Sequence, residues 1–146
     1  MVLADKKDYK RGYEKHYRTF CRLKSTNDDA RSRRLLLVYC VECGLKCKLL
    51  EMWRENNPRE ILDNKEDWRN PIIKTHNLEK LLKELGQAAV FRFPTAIETN
   101  HGQYVNAEDF HQFCRYGVEA KNKDGREEKF EEELLKIASW LEEELI

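Results

Sequence analysis

The segment from residue 35 to residue 50 is the feature that most limits the folds open to this chain. It reads LLLVYCVECGLKCKLL and contains only three charged side chains. A helix that is apolar nearly all round must be surrounded by other elements, because it has no face to turn to water. We therefore predict a long, buried central helix over about Asp28–Glu55. Asn56-Asn57-Pro58 ends it, since proline cannot continue the hydrogen-bond ladder.

Apolar residues recur at helical spacing in four further segments. The composition agrees with a helical chain, because 37% of residues are charged while there are only six glycines and three prolines. We expect an all-α fold, an up-and-down bundle of four to five helices that forms a single domain over residues 1–146. The four segments are about Asp5–Lys24, Thr75–Leu85, Asn106 to near Gly117, and Arg126–Leu145.

Two segments that connect the predicted helices show no clear hydrophobic periodicity. Residues 59–74 are expected to be irregular, with Pro71 keeping Asn70 out of helical geometry. Residues 88–105 are expected to form a long loop before the fourth helix.

Charge is balanced over the whole chain but not along it. The formal net charge is zero, so no overall field attracts nucleic acid or an acidic membrane. Residues 1–24 nevertheless carry eight Lys/Arg against three Asp/Glu, and residues 127–146 carry eight Glu against two Lys. The two segments either lie near each other and compensate, which is the simpler interpretation, or leave a basic face for phosphates.

The sequence contains no segment that predicts export or membrane insertion. No apolar run approaches the roughly 20 residues that span a bilayer. The first residues, MVLADKKDYK, lack the apolar core of a signal peptide. Five cysteines in such a chain indicate free thiols in a reducing compartment rather than a disulfide framework. We expect a cytoplasmic protein with no membrane partner.

Cys40, Cys43 and Cys47 share one stripe of the central helix. A metal site would need a fourth ligand, which Cys21 or Cys114 could supply. Cysteine also packs as a small hydrophobe, and structural zinc sites usually lie on loops rather than inside a long apolar helix. We favour core packing and expect no metal.

Arg69, Asn70 and His76 form the first candidate catalytic set. The guanidinium can bind phosphate through two parallel hydrogen bonds, and the imidazole can move a proton near neutral pH. In metal-free RNA cleavage, the imidazole would take or give the proton, and the arginine would stabilise charge on the phosphorus. In the alternative interpretation His76 caps its own helix and Arg69 is a surface residue.

His111, Arg115 and Tyr116 form a second candidate set, for ligand binding. His111 and Arg115 lie four residues apart, so they share one face of the predicted fourth helix. They either form a polar patch facing a cleft or pair on the surface with Glu108 or Glu119. The remaining histidines, His16 and His101, are assigned no role.

Three segments together resemble the HEPN superfamily of helical-bundle proteins. Residues 41–50, VECGLKCKLL, resemble the long helix of the family, in which a Glu-x3-Lys run is common. Residues 75–81, THNLEKL, resemble its His-Asn/Asp-Leu helix start. Residues 113–117, FCRYG, resemble an Arg-Tyr element late in many members. The resemblance covers roughly residues 28–145.

The resemblance implies a homodimeric helical domain of toxin–antitoxin, phage-defence or CRISPR-associated systems. Many members are metal-independent endoribonucleases that use Arg-x(4–6)-His and need no cofactor, and Arg69, Asn70 and His76 fit that pattern at its longest spacing. Two such pairs would meet across the dimer. The implied partners are RNA, a second copy of the chain and a protein from the same operon.

Other members of the superfamily imply a different function, the binding of a nucleotide or a partner protein without catalysis. His76 and Arg115 would then belong to one polar cluster, which a buried Glu42–Lys46 ion pair could join, and Arg69 would be incidental. A helical accessory subunit without a ligand is a third interpretation.

Overall fold

The computed structural model describes residues 2–26 and 30–145. Helices account for 61% of the structure, so the expected all-α helical bundle is confirmed. The described residues form seven helices and one two-stranded sheet: α1 (Lys6–Thr26), α2 (Ala30–Met52), α3 (Arg59–Asp63), α4 (Asn70–Lys74), α5 (Leu78–Glu84), β1 (Ile97–Glu98), β2 (Tyr104–Val105), α6 (Phe110–Arg115) and α7 (Arg126–Glu144).

The predicted central helix is α2, and it is buried as expected. Leu37, Leu45 and Leu49 are fully inaccessible to solvent. The described part of the helix ends at Met52, slightly before the predicted Glu55, and Asp28, where we expected it to begin, lies outside the described residues.

The helices α1 and α7 pack on α2 in opposite directions. The Lys6 backbone N–H, at the start of α1, donates to the carbonyl of Asn56 just beyond α2 (2.8 Å), so these helices run antiparallel. In contrast, Arg33 near the start of α2 contacts Glu131 near the start of α7. Lys48 near the end of α2 contacts Glu144 at the end of α7. The helices α2 and α7 are therefore parallel.

Residues 59–74 are more ordered than the sequence predicted. They contain α3 and α4, and Asn70 is the first residue of α4. The expectation that Pro71 keeps Asn70 out of a helix was wrong. Pro71 occupies the first turn of α4, where its missing N–H would have had no helical partner in any case.

Residues 88–105 include a small hairpin instead of an uninterrupted loop. Ile97 pairs with Val105 and Glu98 with Tyr104 in antiparallel register. Thr99 extends the pairing through a bridge to Ala120, which fastens the hairpin to the segment before α7. Each strand has only two residues, too few for alternation of apolar and polar residues to be recognised.

The acidic C-terminal segment pairs with a different basic segment from the one that the composition suggested. The glutamates of α7 pair with Arg31, Arg33 and Arg34 of α2, and not with the basic residues of α1 in any salt bridge among the described residues. The basic end of α2, which composition did not single out, therefore neutralises much of the acidic segment. None of the helices in residues 2–26 and 30–145 has both the length and the apolarity that a membrane span requires.

Candidate functional site

His76 lies just ahead of α5, where the chain is extended. Asn77, and not His76, is the residue that caps α5, because its side-chain oxygen accepts from the backbone N–H of Glu79 (3.1 Å). The imidazole of His76 instead contacts α2, with Nδ1 3.0 Å from Oε1 of Glu42. Its side chain is 67% exposed, so the ring remains accessible while one nitrogen is held.

Glu42 joins this histidine to a buried lysine. Its other carboxylate oxygen lies 3.3 Å from Nζ of Lys46, one helical turn further along α2. The Lys46 side chain is only 5% exposed, and a buried ammonium group is tolerated when a carboxylate compensates it. The ion pair expected from the Glu-x3-Lys spacing is therefore present, and it orients Glu42 toward His76.

The short helix α6 brings His111 and Arg115 to the same region. The rings of His111 and His76 have their centroids 6.0 Å apart. The pKa of His111 is lowered, chiefly because the ring is partly buried and further because His76 and Arg115 place positive charge beside it. The neutral form of His111 is therefore favoured near neutral pH, and this form has a free nitrogen that can accept a proton.

Arg115 is exposed and reaches back to α2, where its guanidinium donates to the hydroxyl of Tyr39. The alternative that Arg115 pairs with Glu108 or Glu119 is not what the structure has, since Tyr39 and Tyr116 are its hydrogen-bonding partners among the described residues. On its other side, the Tyr39 ring lies near that of His16 on α1, with centroids 6.1 Å apart.

We call this group the histidine cluster. It contains two permanent cations, one carboxylate and two neighbouring imidazoles, and its exposed members are His76 and Arg115. Such a group can bind an anion by charge-assisted hydrogen bonds and can exchange protons with it. Its members are Tyr39, Glu42, Lys46, His76, His111 and Arg115.

Arg69 lies in different surroundings. Its guanidinium is bound by Asp67 (2.7 Å) and Glu55 (3.4 Å) and lies over the ring of Trp53 (5.7 Å to the centroid). The hydrogen bonds that Asp67 accepts from the side chain and backbone N–H of Arg69 lower the pKa of Asp67. Within residues 2–26 and 30–145, Arg69 shares no hydrogen bond or ion pair with His76.

Asn70 is 6% exposed, and its side-chain amide is hydrogen-bonded to backbone carbonyls. Its Nδ2 donates to the carbonyls of Ile61 (2.8 Å) and Leu62 (3.2 Å), which ties the start of α4 to α3. The amide is thus occupied by structural contacts, and no hydrogen bond joins it to His76 in the described part of the chain.

Tyr39, a member of the cluster, and His16, whose ring lies beside that of Tyr39, were not predicted from the sequence. A signal for Tyr39 was available, since Tyr39, Glu42 and Lys46 are spaced i, i+3 and i+7 and so form one polar stripe on an otherwise apolar helix. No such signal exists for His16, because its approach to Tyr39 depends on how α1 packs against α2.

The cysteines of α2 line the interior and are poor ligands. Cys40 and Cys47 are buried, and burial raises the pKa of the half-buried Cys43 to about 11. A thiol with such a pKa stays protonated near neutral pH, whereas the thiolate is the metal-binding and nucleophilic form. In the described residues, no group of three or more His, Cys, Asp and Glu side chains is arranged to hold a metal ion.

No protein-family model, no curated protein and no solved structure matches this chain.

Proposed function

We propose that the chain is a HEPN-type module that binds a nucleotide, with the phosphate held at the histidine cluster. The observation that carries this proposal is the unneutralised charge of Arg115. Its guanidinium is exposed, and its partner on α2 is the uncharged hydroxyl of Tyr39. In the described residues no carboxylate lies within salt-bridge distance of Arg115.

Comparison with Arg69 supports this choice of site. Arg69 already faces Asp67 and Glu55, so an incoming phosphate would meet two carboxylates there. At the histidine cluster the single carboxylate, Glu42, is compensated by Lys46. The charge of Arg115 and any proton on His76 or His111 therefore remain available to an anion.

Binding of adenosine monophosphate to the wild-type protein, measured by isothermal titration calorimetry, tests the proposal. We expect Arg115→Ala and His76→Ala each to weaken binding about tenfold or more, since a hydrogen bond to a charged group contributes about 1.5–3 kcal/mol. Arg11→Ala is the matched control, because Arg11 is 75% exposed on α1 and its ion-pair partner, Asp8, is not a member of the cluster. Equal affinity of all four proteins, or failure of the wild type to bind either adenosine or guanosine monophosphate, would rule out this site.

A metal-independent endoribonuclease is the second candidate function. It is favoured by the imidazoles of His76 and His111, whose ring centroids lie 6.0 Å apart, and by the exposed Arg115 beside them. His111, with its lowered pKa, would accept the 2′-hydroxyl proton, His76 would donate a proton to the leaving oxygen, and Arg115 would stabilise the phosphorane. This assignment keeps the His76 expected from the sequence but replaces Arg69 as its partner.

Cleavage of a mixed RNA pool in EDTA tests this second function and separates the two site assignments. General acid–base groups contribute about 10²–10⁴ in rate, so His76→Ala and His111→Ala should each abolish most cleavage. Arg69→Ala should retain activity if Arg115 stabilises the phosphorane and should lose it if Arg69 does. Absence of cleavage by the wild type would leave nucleotide binding as the function.

We also propose that the module is a cytoplasmic homodimer with a protein partner from the same operon. The sequence resemblance supports this proposal. The indole of Trp68, which is 63% exposed and edge-on to Trp53 with ring centroids 5.9 Å apart, is the candidate for the contact between the two copies. Light scattering on a size-exclusion column should give twice the mass of the chain. Trp68→Ala would then yield the monomer mass if this surface forms the contact, and a wild-type monomer would contradict the dimer.

A further inference from the structure

We infer that a cavity between α6 and the β1–β2 hairpin holds the base of the nucleotide, and that Asp109 selects guanine in it. The inference rests on the proposed nucleotide binding and adds a base site beside the phosphate site. The cavity has a volume of about 300 Å³. This is at the lower end of the range for small-molecule sites, which run from about 300 to 1,000 Å³.

The walls of the cavity present aromatic rings to solvent. Tyr104 is 65% exposed and Tyr116 is 56% exposed, and both line it. Large exposed aromatic side chains that converge on one cavity are suited to stacking on a flat ring. Bases stack on such side chains regardless of sequence, because every base has a π-face.

Residues of the histidine cluster and residues of the cavity lining are neighbours in α6 and at its C-terminal end. His111 and Arg115 belong to the cluster, and the next residues along the helix, Gln112 and Tyr116, line the cavity. Moreover, Arg115 is hydrogen-bonded to the side chain of Tyr116. A nucleotide whose phosphate is bound by Arg115 would therefore have the cavity within reach of its base.

Asp109 supplies the selectivity. It lines the cavity and precedes α6, but its side chain makes no capping hydrogen bond. Among the described residues its carboxylate enters no side-chain hydrogen bond or salt bridge, so both oxygens are open to a ligand. A carboxylate only accepts hydrogen bonds. Guanine offers two adjacent donors, N1–H and N2–H, on its Watson–Crick edge, whereas adenine offers an amino group beside an acceptor nitrogen.

The experiment compares three ligands, guanosine monophosphate, adenosine monophosphate and ribose 5-phosphate, by isothermal titration calorimetry. We expect the guanine nucleotide to bind about tenfold or more tightly than ribose 5-phosphate, since stacking on one aromatic side chain has an effect of this size. Asp109→Asn should remove the preference for guanine over adenine. Tyr104→Ala should weaken both nucleotides and leave ribose 5-phosphate unchanged. Val90→Ala, an exposed apolar residue that does not line the cavity, is the control.

The outcomes distinguish the base site from the phosphate site. Equal binding of all three ligands would overturn the base site and leave the proposed nucleotide-phosphate site standing. A preference for guanine that survives Asp109→Asn and Tyr104→Ala would also overturn it, because the base would then lie elsewhere. Failure of all three ligands to bind would overturn both. Circular dichroism of each variant checks that it is folded, and Tyr104 and Asp109 are partly or largely exposed, so their substitution leaves the core intact.

Discussion

Two histidines, His16 on α1 and His111 on α6, have lowered pKa values in the folded protein. Burial lowers the pKa of both His16 and His111 below the ordinary value of 6.5. Lys15 adds to the effect at His16, and His76 and Arg115 add to it at His111. Below pH 6.5 the unfolded chain therefore binds protons at these positions that the folded protein does not yet bind.

This difference predicts that the free energy of unfolding falls as the pH falls from 6.5 toward the folded-state pKa values, because the state with more bound protons is favoured by acid. The free energy of unfolding should be independent of these two groups above about pH 8, where both are neutral in both states. Urea unfolding midpoints at half-unit intervals from pH 8 to pH 5.5 would measure it.

Single substitutions assign the effect to the two histidines. His111→Gln and His16→Gln should each flatten the pH dependence, whereas His101→Gln, at an exposed position, should leave it unchanged. Equal slopes for wild type and all three variants would show that neither His16 nor His111 has a lowered pKa.

At the residue scale, the sequence predicted some contacts of the candidate site and not others. His76 was found because it stands at a helix start with recognisable flanking residues, and the Glu42–Lys46 pair because its members are one turn apart. Arg69 was expected to be free for phosphate. Its partner Asp67 is local, but its partner Glu55 is 14 residues away, and that contact depends on how the segment after α2 folds back. Local spacing carries no information on such a contact.

At the scale of elements, the link between α3 and α4 depends on Asn70. Asn70→Ala should lower the free energy of unfolding by about 1–3 kcal/mol, because it removes the two hydrogen bonds that this buried amide donates to the carbonyls of Ile61 and Leu62. Chemical denaturation measures this, with the exposed Asn122→Ala as the control. A folded Asn70→Ala protein of unchanged stability that lost RNA cleavage would instead assign Asn70 to catalysis.

The packing of α1, α2 and α7 depends on Gly44. A Cβ at this position would lie 2.6 Å from Cδ1 of Leu141 on α7 and 2.9 Å from Cδ1 of Tyr13 on α1. Gly44→Ala should therefore destabilise the protein by about 1–3 kcal/mol, even though alanine is the better helix former by about 1 kcal/mol. Gly117→Ala, outside the helices, is the control for a methyl group added in open space, since nothing lies within 4 Å of its Cβ position. A gain in stability from Gly44→Ala would mean that the helices are farther apart.

Long and short elements differ in how far local sequence determines them. The helices α1, α2 and α7 have 21, 23 and 19 residues, so their apolar periodicity is repeated over several turns. In contrast, α3 and α4 have five residues each and are too short to be stable without partners. The buried side chains of Ile61 and Ile73, which pack with Leu50, supply those partners. The hairpin has the same dependence on tertiary contacts.

At the scale of the whole molecule, an ion-pair network between α2 and α7 aligns the two parallel helices at their starts. The side chain of Arg34 is 6% exposed and lies 3.3 Å from Glu127 and 3.4 Å from Glu131. Arg33 also binds Glu131, at 2.9 Å. The acidic start of α7 is thus paired across the bundle with the basic start of α2, although the two are nearly 100 residues apart in the sequence.

Arg34→Ala should lower the free energy of unfolding by about 2–3 kcal/mol. Breaking a buried ion pair typically costs about 3–5 kcal/mol, and we expect less here because Arg33 still neutralises Glu131. The loss should persist in 1 M NaCl, since buried pairs are screened far less than exposed ones. Arg11→Ala, which breaks the exposed pair with Asp8, should change stability by less than about 1 kcal/mol. If salt removed the effect of Arg34→Ala, the network would be solvated and could not set the register of α7 on α2.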